Sequence, residues 1–242
     1  MDYLLLFIFL ALIAEIIGTV GGFGSSLFFI PIASFFLDFH SVLGITAIFH
    51  LSSNLTKIAF FRKGFDKKLI LYIGIPAIIF VIIGSYISKF IQSNWLEVFL
   101  GFFLITTSLL LLIFKDLTIK PTAKNSILGG IFSGLIAGVI GTGGAIRGMT
   151  LAAFNLKIEI FIATSAIIDF GIDFSRGFVY YMNGYLHKHD LYLIPLLLVA
   201  SILGTFIGKK ILNKISEQKF KKIVLLLILT TGIVTVFKVL FF

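Results

Sequence analysis

Cysteine is absent from the 242 residues. That excludes a disulfide scaffold, thiolate metal sites and cysteine-based sulfur relays, and leaves the redox compartment undetermined. Charge is scarce as well: 13% of residues are Asp, Glu, Lys or Arg against 59% apolar, with a mean hydropathy of +1.12. A soluble core of this size needs polar side chains to cover it, so a water-soluble enzyme is excluded. There is no Gly-x4-Gly-Lys-Ser/Thr phosphate-binding loop and no polar stretch long enough to fold as a nucleotide-binding domain. ATP is therefore not the direct energy source within this chain, and no cofactor is expected. The start, Met1-Asp2-Tyr3-Leu4, lacks the basic region of a signal peptide, so the first apolar segment is expected to be retained.

What remains is apolar sequence in long runs, at roughly 3–37, 41–62, 67–90, 95–114, 124–155, 157–182, 189–212 and 219–240. Several exceed the roughly 20 residues that span a bilayer. Backbone amides in hydrocarbon must be satisfied internally, and these runs are too long and uniform for alternating barrel strands. The expected fold is an all-α polytopic membrane protein embedded in membrane lipid. A net charge of +9 raises the question of nucleic acid. The 20 Lys and Arg, however, gather at the ends of apolar segments, the pattern of basic loops beside anionic lipid. No nucleic-acid partner is expected.

The chain is internally duplicated. At an offset of 120, Gly64 matches Gly184, Gly84 matches Gly204, Lys89 matches Lys209 and Glu97 matches Glu217; Thr46 pairs with Thr164, and Gly21-Gly22 with Gly143-Gly144. Residues 1–118 and 119–242 form the two repeats of one transmembrane domain. The first segment of each repeat is too long for one span and is interrupted by glycines: Gly18, Gly21, Gly22 and Gly24, then Gly138, Gly141, Gly143 and Gly144. Each glycine disfavours a helix interior by about 1 kcal/mol. A re-entrant hairpin with two arms of about 15 residues is expected at each, reaching roughly 22 Å. Charge discriminates between this and eight plain spans in parallel repeats. The hairpin arrangement collects 14 Lys and Arg on one face and three on the other, whereas eight spans divide them nine to eight. Short cytoplasmic loops carry the basic residues. A hairpin plus three spans is an odd number of crossings, so the second repeat is inverted and both termini lie outside.

Three basic residues remain inside apolar segments: Lys57, Arg147 and Arg176. An ionised side chain at membrane depth costs several kcal/mol unless it faces a cavity or a partner. His50 and Asn54 precede Lys57 by seven and three residues, as Asp169 and Asp173 precede Arg176; that spacing puts each trio on one helix face. The half-helix after each glycine break directs free N–H groups and a positive dipole end inward, with Ser25, Ser26 and Thr142 adding donors. A small oxyanion fits such a centre, because its oxygens accept several N–H and O–H bonds and arginine engages two at once. Lys57, Arg147 and Arg176 are expected to bind the anion, with Ser25, Ser26 and Asn54 orienting it. Asp169, Asp173 and His50 are the candidates for proton coupling. The residual positive charge speaks against a metal. Glu15 is open between a proton-carrying group and an interhelical hydrogen-bond partner. His187 and His189 read as solvated loop residues with no further ligand evident. The Gly204-x3-Gly208 and Gly84-x3-Ser88 pairs read as close helix packing.

Gly18-Thr19-Val20-Gly21-Gly22-Phe23-Gly24 followed by Pro31, the later Gly141-Thr142-Gly143-Gly144, and the paired Thr46 and Thr164 helices resemble the TauE/SafE sulfite and sulfonate exporter family, also called the 4-toluene sulfonate uptake permease family. The resemblance covers nearly the whole chain, in length and duplication too. Ala152-Ala153 stands where similar proteins often carry a proline. The resemblance implies transport of sulfite, sulfoacetate, other organosulfonates or related anions across a prokaryotic plasma membrane. The expected function is thus a proton-coupled secondary transporter, an exporter rather than an enzyme, alternating access around a midplane site. An anion-selective channel and a membrane-embedded enzyme or assembly factor are the alternatives, and association as a homodimer stays open.

Overall fold

The computed structural model describes residues 2–22, 24–114, 119–212 and 217–241. Phe23 of the first glycine motif, Lys115 and Lys214 of the basic loops, and the terminal Met1 and Phe242 lie outside the described residues. Every regular element among them is helical, as burial of backbone in hydrocarbon demands. Helix α1 (Asp2–Gly21) is followed by α2 (Ser26–Ala33), α3 (Phe39–Phe60), α4 (Lys67–Leu69), a π turn (Ile70–Gly74), α5 (Ile75–Ser88) and α6 (Ser93–Ile113). A like order follows: α7 (Ala123–Ile140), α8 (Gly144–Ala152), α9 (Ile158–Met182), a 3₁₀ turn (Lys188–Asp190), α10 (Leu193–Leu212) and α11 (Glu217–Phe241).

Among the described residues, six stretches are long and apolar enough to cross a membrane: Tyr3–Gly21, Lys67–Ser88, Ser93–Ile113, Ala123–Ile140, Leu193–Leu212 and Lys222–Phe241. Helices α3 and α9, of 22 and 25 residues, have the length but carry the two polar trios. Large apolar side chains such as Phe102, Phe174, Phe178 and Phe237 point outward. In water such a surface would be untenable; against acyl chains it is the expected exterior.

Both glycine-rich segments are broken, but the arms are unequal. The first breaks into 20 and 8 residues and the second into 18 and 9, rather than arms of about 15. The reason is that not every glycine in the clusters bends the chain. Reversal falls at Gly22 and Gly24 (φ +72° and +88°) and at Gly141 (φ +80°), left-handed backbone that costs other residues about 1–2 kcal/mol. Gly18 and Gly138 stay helical and serve close approach instead. A side chain at Gly18 would strike the Ser25 backbone, and one at Gly138 would strike α5 at Val81 and Ser85. Helix α1, at about 30 Å, is long enough to cross hydrocarbon, whereas α2 at about 12 Å is not.

Local chemistry sets the other boundaries. Asp38 caps α3 by accepting from the His40 and Ser41 amides at 2.9 and 3.3 Å, and Thr122 caps α7 through Asn125. The π turn ends two residues before Pro76, whose nitrogen cannot donate to the preceding turn and whose ring crowds its carbonyls, so the helix widens there and continues.

Small residues fix the packing registers. Gly130, Gly134 and Gly138 of α7 lie on the backbones of Ile73, Ala77 and Val81 respectively, so α5 and α7 run parallel at close range. Gly204 of α10 sits against Glu15 and Leu12, and Gly208 against Thr19 and Ile16, so α1 and α10 are parallel too. Helix α3 runs antiparallel to α9, since His50 meets Arg176 and Asn54 meets Asp173. Helix α6 is antiparallel to α11, with Gly101 against Val236 and Gly232 against Leu104. Near one end of this pair, Glu97 binds Lys238 at 2.7 Å, and both reach Ser34 just beyond α2.

Candidate functional site

Packing α3 against α9 brings the two polar trios face to face, and the breaks close over them. Ser26 Oγ, at the start of α2, lies 2.9 Å from Thr142 Oγ1 in the second break. The cavity beneath is lined by Gly24, Ser25 and Ser26 from the first break, by Gly141, Gly143, Gly144 and Arg147 from the second, and by His50, Ser53, Asn54, Lys57, Asp169, Asp173 and Arg176 from α3 and α9. Its free space is about 20 Å³, scarcely more than one water molecule needs. A second small cavity adjoins it, sharing Gly24, Asn54, Lys57 and Asp169 and continuing past Gly18, Thr19 and Gly22 to Ser165.

The structure therefore gathers Ser25, Ser26, Asn54, Lys57, Arg147, Arg176, His50, Asp169 and Asp173 around one centre, with Gly24, Gly143 and Gly144 in its wall. Gly22 lines only the second cavity, and Gly21, the last residue of α1, lines neither. Three contributors were not singled out from the sequence: Ser53, Ser165 and the Gly141 carbonyl. The serines sit four residues from Lys57 and Asp169, a spacing that could have flagged them.

Each buried cation has a carboxylate. Arg147 makes a bidentate pair with Asp169 and also donates to Ser165 Oγ at 3.3 Å. Arg176, 1% exposed, pairs with Asp173 at 2.7 Å and donates to the Gly141 carbonyl. Lys57 Nζ lies 2.9 Å from Glu15 Oε1 and 2.7 Å from Ser53 Oγ. Glu15 is an ion-pair partner and hydrogen-bond hub: its fully buried carboxylate also accepts from Ser25 at 2.5 Å, Ser53 at 2.6 Å, and Thr19 and Thr205 at 3.0 Å each. The expected excess of positive charge needs correction accordingly. Glu15, Asp169 and Asp173 answer Lys57, Arg147 and Arg176 one for one, because α10 packs against both α1 and α3 and so brings Glu15 to Lys57.

The hydrogen bonds have a direction. Arginine only donates, so Arg176 Nη2, 3.4 Å from His50 Nδ1, requires that nitrogen to accept. The ring proton then sits on Nε2 and is donated to Ser25 Oγ at 3.1 Å, while the Ser25 hydroxyl is donated to Glu15. A chain Arg176 to His50 to Ser25 to Glu15 thus joins a cation of α9 to a carboxylate of α1, with neutral His50 as its middle link. Asn54 bridges the same helices by donating to Asp173 at 2.7 Å. Tyr180 donates to the Gly138 carbonyl at 2.7 Å, holding the end of α7 beside Arg176.

A multi-pass helical bundle whose two broken helices meet over a buried, ion-paired polar cavity has a build that membrane transporters use. The family model described as "Sulfite exporter TauE/SafE" matches residues 7–235, and the chain belongs to that family. A relative from Bacillus subtilis (strain 168), described as "Probable membrane transporter protein YdhB", is 22% identical over 250 residues, covering 97% of this chain and all of the relative. No solved structure matches significantly.

Proposed function

We propose that this transporter is secondary and proton-coupled, and that it exports a small oxyanion such as sulfite or an organosulfonate by alternating access about the cavity. The observation that carries the reading is the 2.9 Å contact between Ser26 and Thr142, which ties two helix breaks from distant parts of the chain together over Lys57, Arg147 and Arg176. A rigid bundle has no need of two breaks at one point. A site that opens alternately to either side does.

The packing registers support an inverted duplication of 1–118 and 119–242. Under such a relation α3 corresponds to α9 and α6 to α11, and each of these pairs is antiparallel. Helix α1 corresponds to α7 and α10 to α5, and the two resulting contacts, α1 with α10 and α7 with α5, are both parallel. The basic loops then fall on one face, which supports a reading with both termini on the outer face of a prokaryotic inner membrane.

The ion pairs supply the coupling. An incoming oxyanion has to take over guanidinium N–H groups now held by Asp169 and Asp173, and a displaced buried carboxylate is costly unless it takes a proton. Anion binding and carboxylate protonation thereby favour one another. His50 adds a second device, because a proton on Nδ1 removes the acceptor that Arg176 uses and puts two cations in contact. The 20 Å³ of free space fits a state in which the carboxylates stand in for the anion, so Ser25, Ser26 and Asn54 orient it only once the pairs part.

The test is flux of sulfite and a panel of organosulfonates in proteoliposomes, with inorganic oxyanions and carboxylates for comparison. Saturable flux that responds to a pH gradient and falls at least about tenfold in Arg176→Ala is expected. Flux of every oxyanion at the wild-type rate in Arg176→Ala would sink the proposed site, and non-saturating flux indifferent to the gradient would mark a channel instead.

A further inference from the structure

The loop between α9 and α10 folds over the start of α3 at the end of the bundle away from the basic 62–68 loop. It presents a group of side chains that the transport site does not use. One ligand atom from each of His187, His189 and Asp190 lies within 4.8 Å of the other two. His189 Nε2 is 3.4 Å from Asp190 Oδ1, and His187 Nδ1 is 3.8 Å from Asp190 Oδ2. The two imidazoles stack in parallel, with an interplanar angle of 4°. Asp38 Oδ2 approaches His187 Nδ1 to 3.7 Å.

We propose that His187, His189 and Asp190 form a binding site for a divalent transition-metal ion of the zinc class, with Asp38 at its edge. Asp190 is the pointer. It is 97% buried, being 3% exposed, and its Oδ2 accepts no hydrogen bond from any described residue. A buried carboxylate oxygen with no donor is costly, and a cation bound to it removes the cost. Two imidazoles and a carboxylate are the donor set of open zinc sites, where water fills the remaining position, and imidazole suits zinc, nickel, cobalt and copper rather than magnesium or calcium. His189, 77% exposed at its side chain, leaves a path for the ion to enter. Ser41 Oγ lies 2.6 Å from Nδ1 of His187, so an ion bound through Nδ1 takes the place of that hydroxyl, which turns aside.

The i, i+2 spacing of the histidines offers only two ligands; the 3₁₀ turn at Lys188–Asp190 supplies the third. Because Asp38 belongs to the start of α3 and the other groups to the loop after α9, a bound ion tethers the two parts of the chain at this end.

The test uses the purified full chain in detergent, free of any histidine tag. Zinc and cobalt are titrated by calorimetry, with cobalt also followed by its visible d–d absorption and both by thermal unfolding. Binding of one ion per chain, a rise in Tm reversed by EDTA, and a loss of affinity of at least about tenfold in His189→Ala are expected, with magnesium and calcium inert. His189 is exposed, so His189→Ala is expected to fold; Asp190→Asn gives the second arm. Absence of one-to-one binding, or unchanged affinity in both His189→Ala and Asp190→Asn, would overturn the proposal.

Discussion

Replacing Glu15 by glutamine tests whether the cavity is held as a set of compensated charges. The substitution preserves shape and removes one negative charge from a fully buried position. With the amide oxygen in place of Oε1, the hydroxyls of Thr19, Ser53 and Thr205 go on donating, and Ser25 alone has to rotate and accept from the new N–H, so most of the hydrogen bonding survives. Lys57 cannot adapt in this way. Its ammonium carries only donors, and its side chain is 9% exposed. Glu15→Gln therefore leaves a buried cation without its counter-charge, which costs about 3–5 kcal/mol. At about 2–4 °C per kcal/mol for a chain of this size, the expected drop is roughly 6–20 °C. Lys57→Met added to Glu15→Gln removes the orphaned charge and should recover more than half of the loss, a coupling that a double-mutant cycle measures directly. The readout is thermal unfolding in detergent with fluorescence detection. A fall of under about 1 kcal/mol in Glu15→Gln, or a double variant no more stable than the single, would refute the charge argument.

The glycines separate by what they do. Gly141→Ala meets both a positive φ of +80° and the buried ends of Ile30 and Leu43 at 2.6 and 2.7 Å; a loss of about 2–4 kcal/mol is expected. Gly22→Ala, with φ +72° and the Phe161 ring at 3.1 Å, should lose about 1–2 kcal/mol; equal effects at the two sites would contradict the account. Gly134→Ala would press on the Ala77 backbone and force α5 from α7, costing about 1–3 kcal/mol, whereas Gly177→Ala, with Ala47 Cβ at 3.4 Å, should fall within about 1 kcal/mol of wild type on the stable side. Asp2→Cys in this cysteine-free chain should react with impermeant maleimide from outside intact cells, and protection there would remove the inverted topology.

Much of the site could be read before any coordinates. Each trio repeats every three or four residues along one helix, and membrane depth makes a lone Lys57 or Arg176 conspicuous. Pairing across helices was less accessible. Asn54 with Asp173 and Arg176 with His50 depend on the antiparallel register of α3 and α9, which no local pattern encodes. Glu15 is the clearest case, since its partners lie on α1, the first break, α3 and α10 and only tertiary packing unites them. The glycine clusters located both breaks, but composition could not separate turn-forming Gly22 and Gly141 from Gly18 and Gly138, which stay helical to admit a neighbour. The match of Gly84 with Gly204 was visible as repetition. Its cause is structural: Gly84 lies on α7 and Gly204 on α1, each against the broken helix of the other half.

The most direct measurement asks whether the two breaks meet and must part for transport. With no native cysteine to interfere, Ser26→Cys and Thr142→Cys together place two thiols where the hydroxyl oxygens now sit 2.9 Å apart. Mild oxidation should join them in a single disulfide, halt anion flux in proteoliposomes, and let flux return when the bond is reduced. Failure of the bond to form, or flux at the uncrosslinked rate while it is intact, would contradict a site that works by opening between the two broken helices.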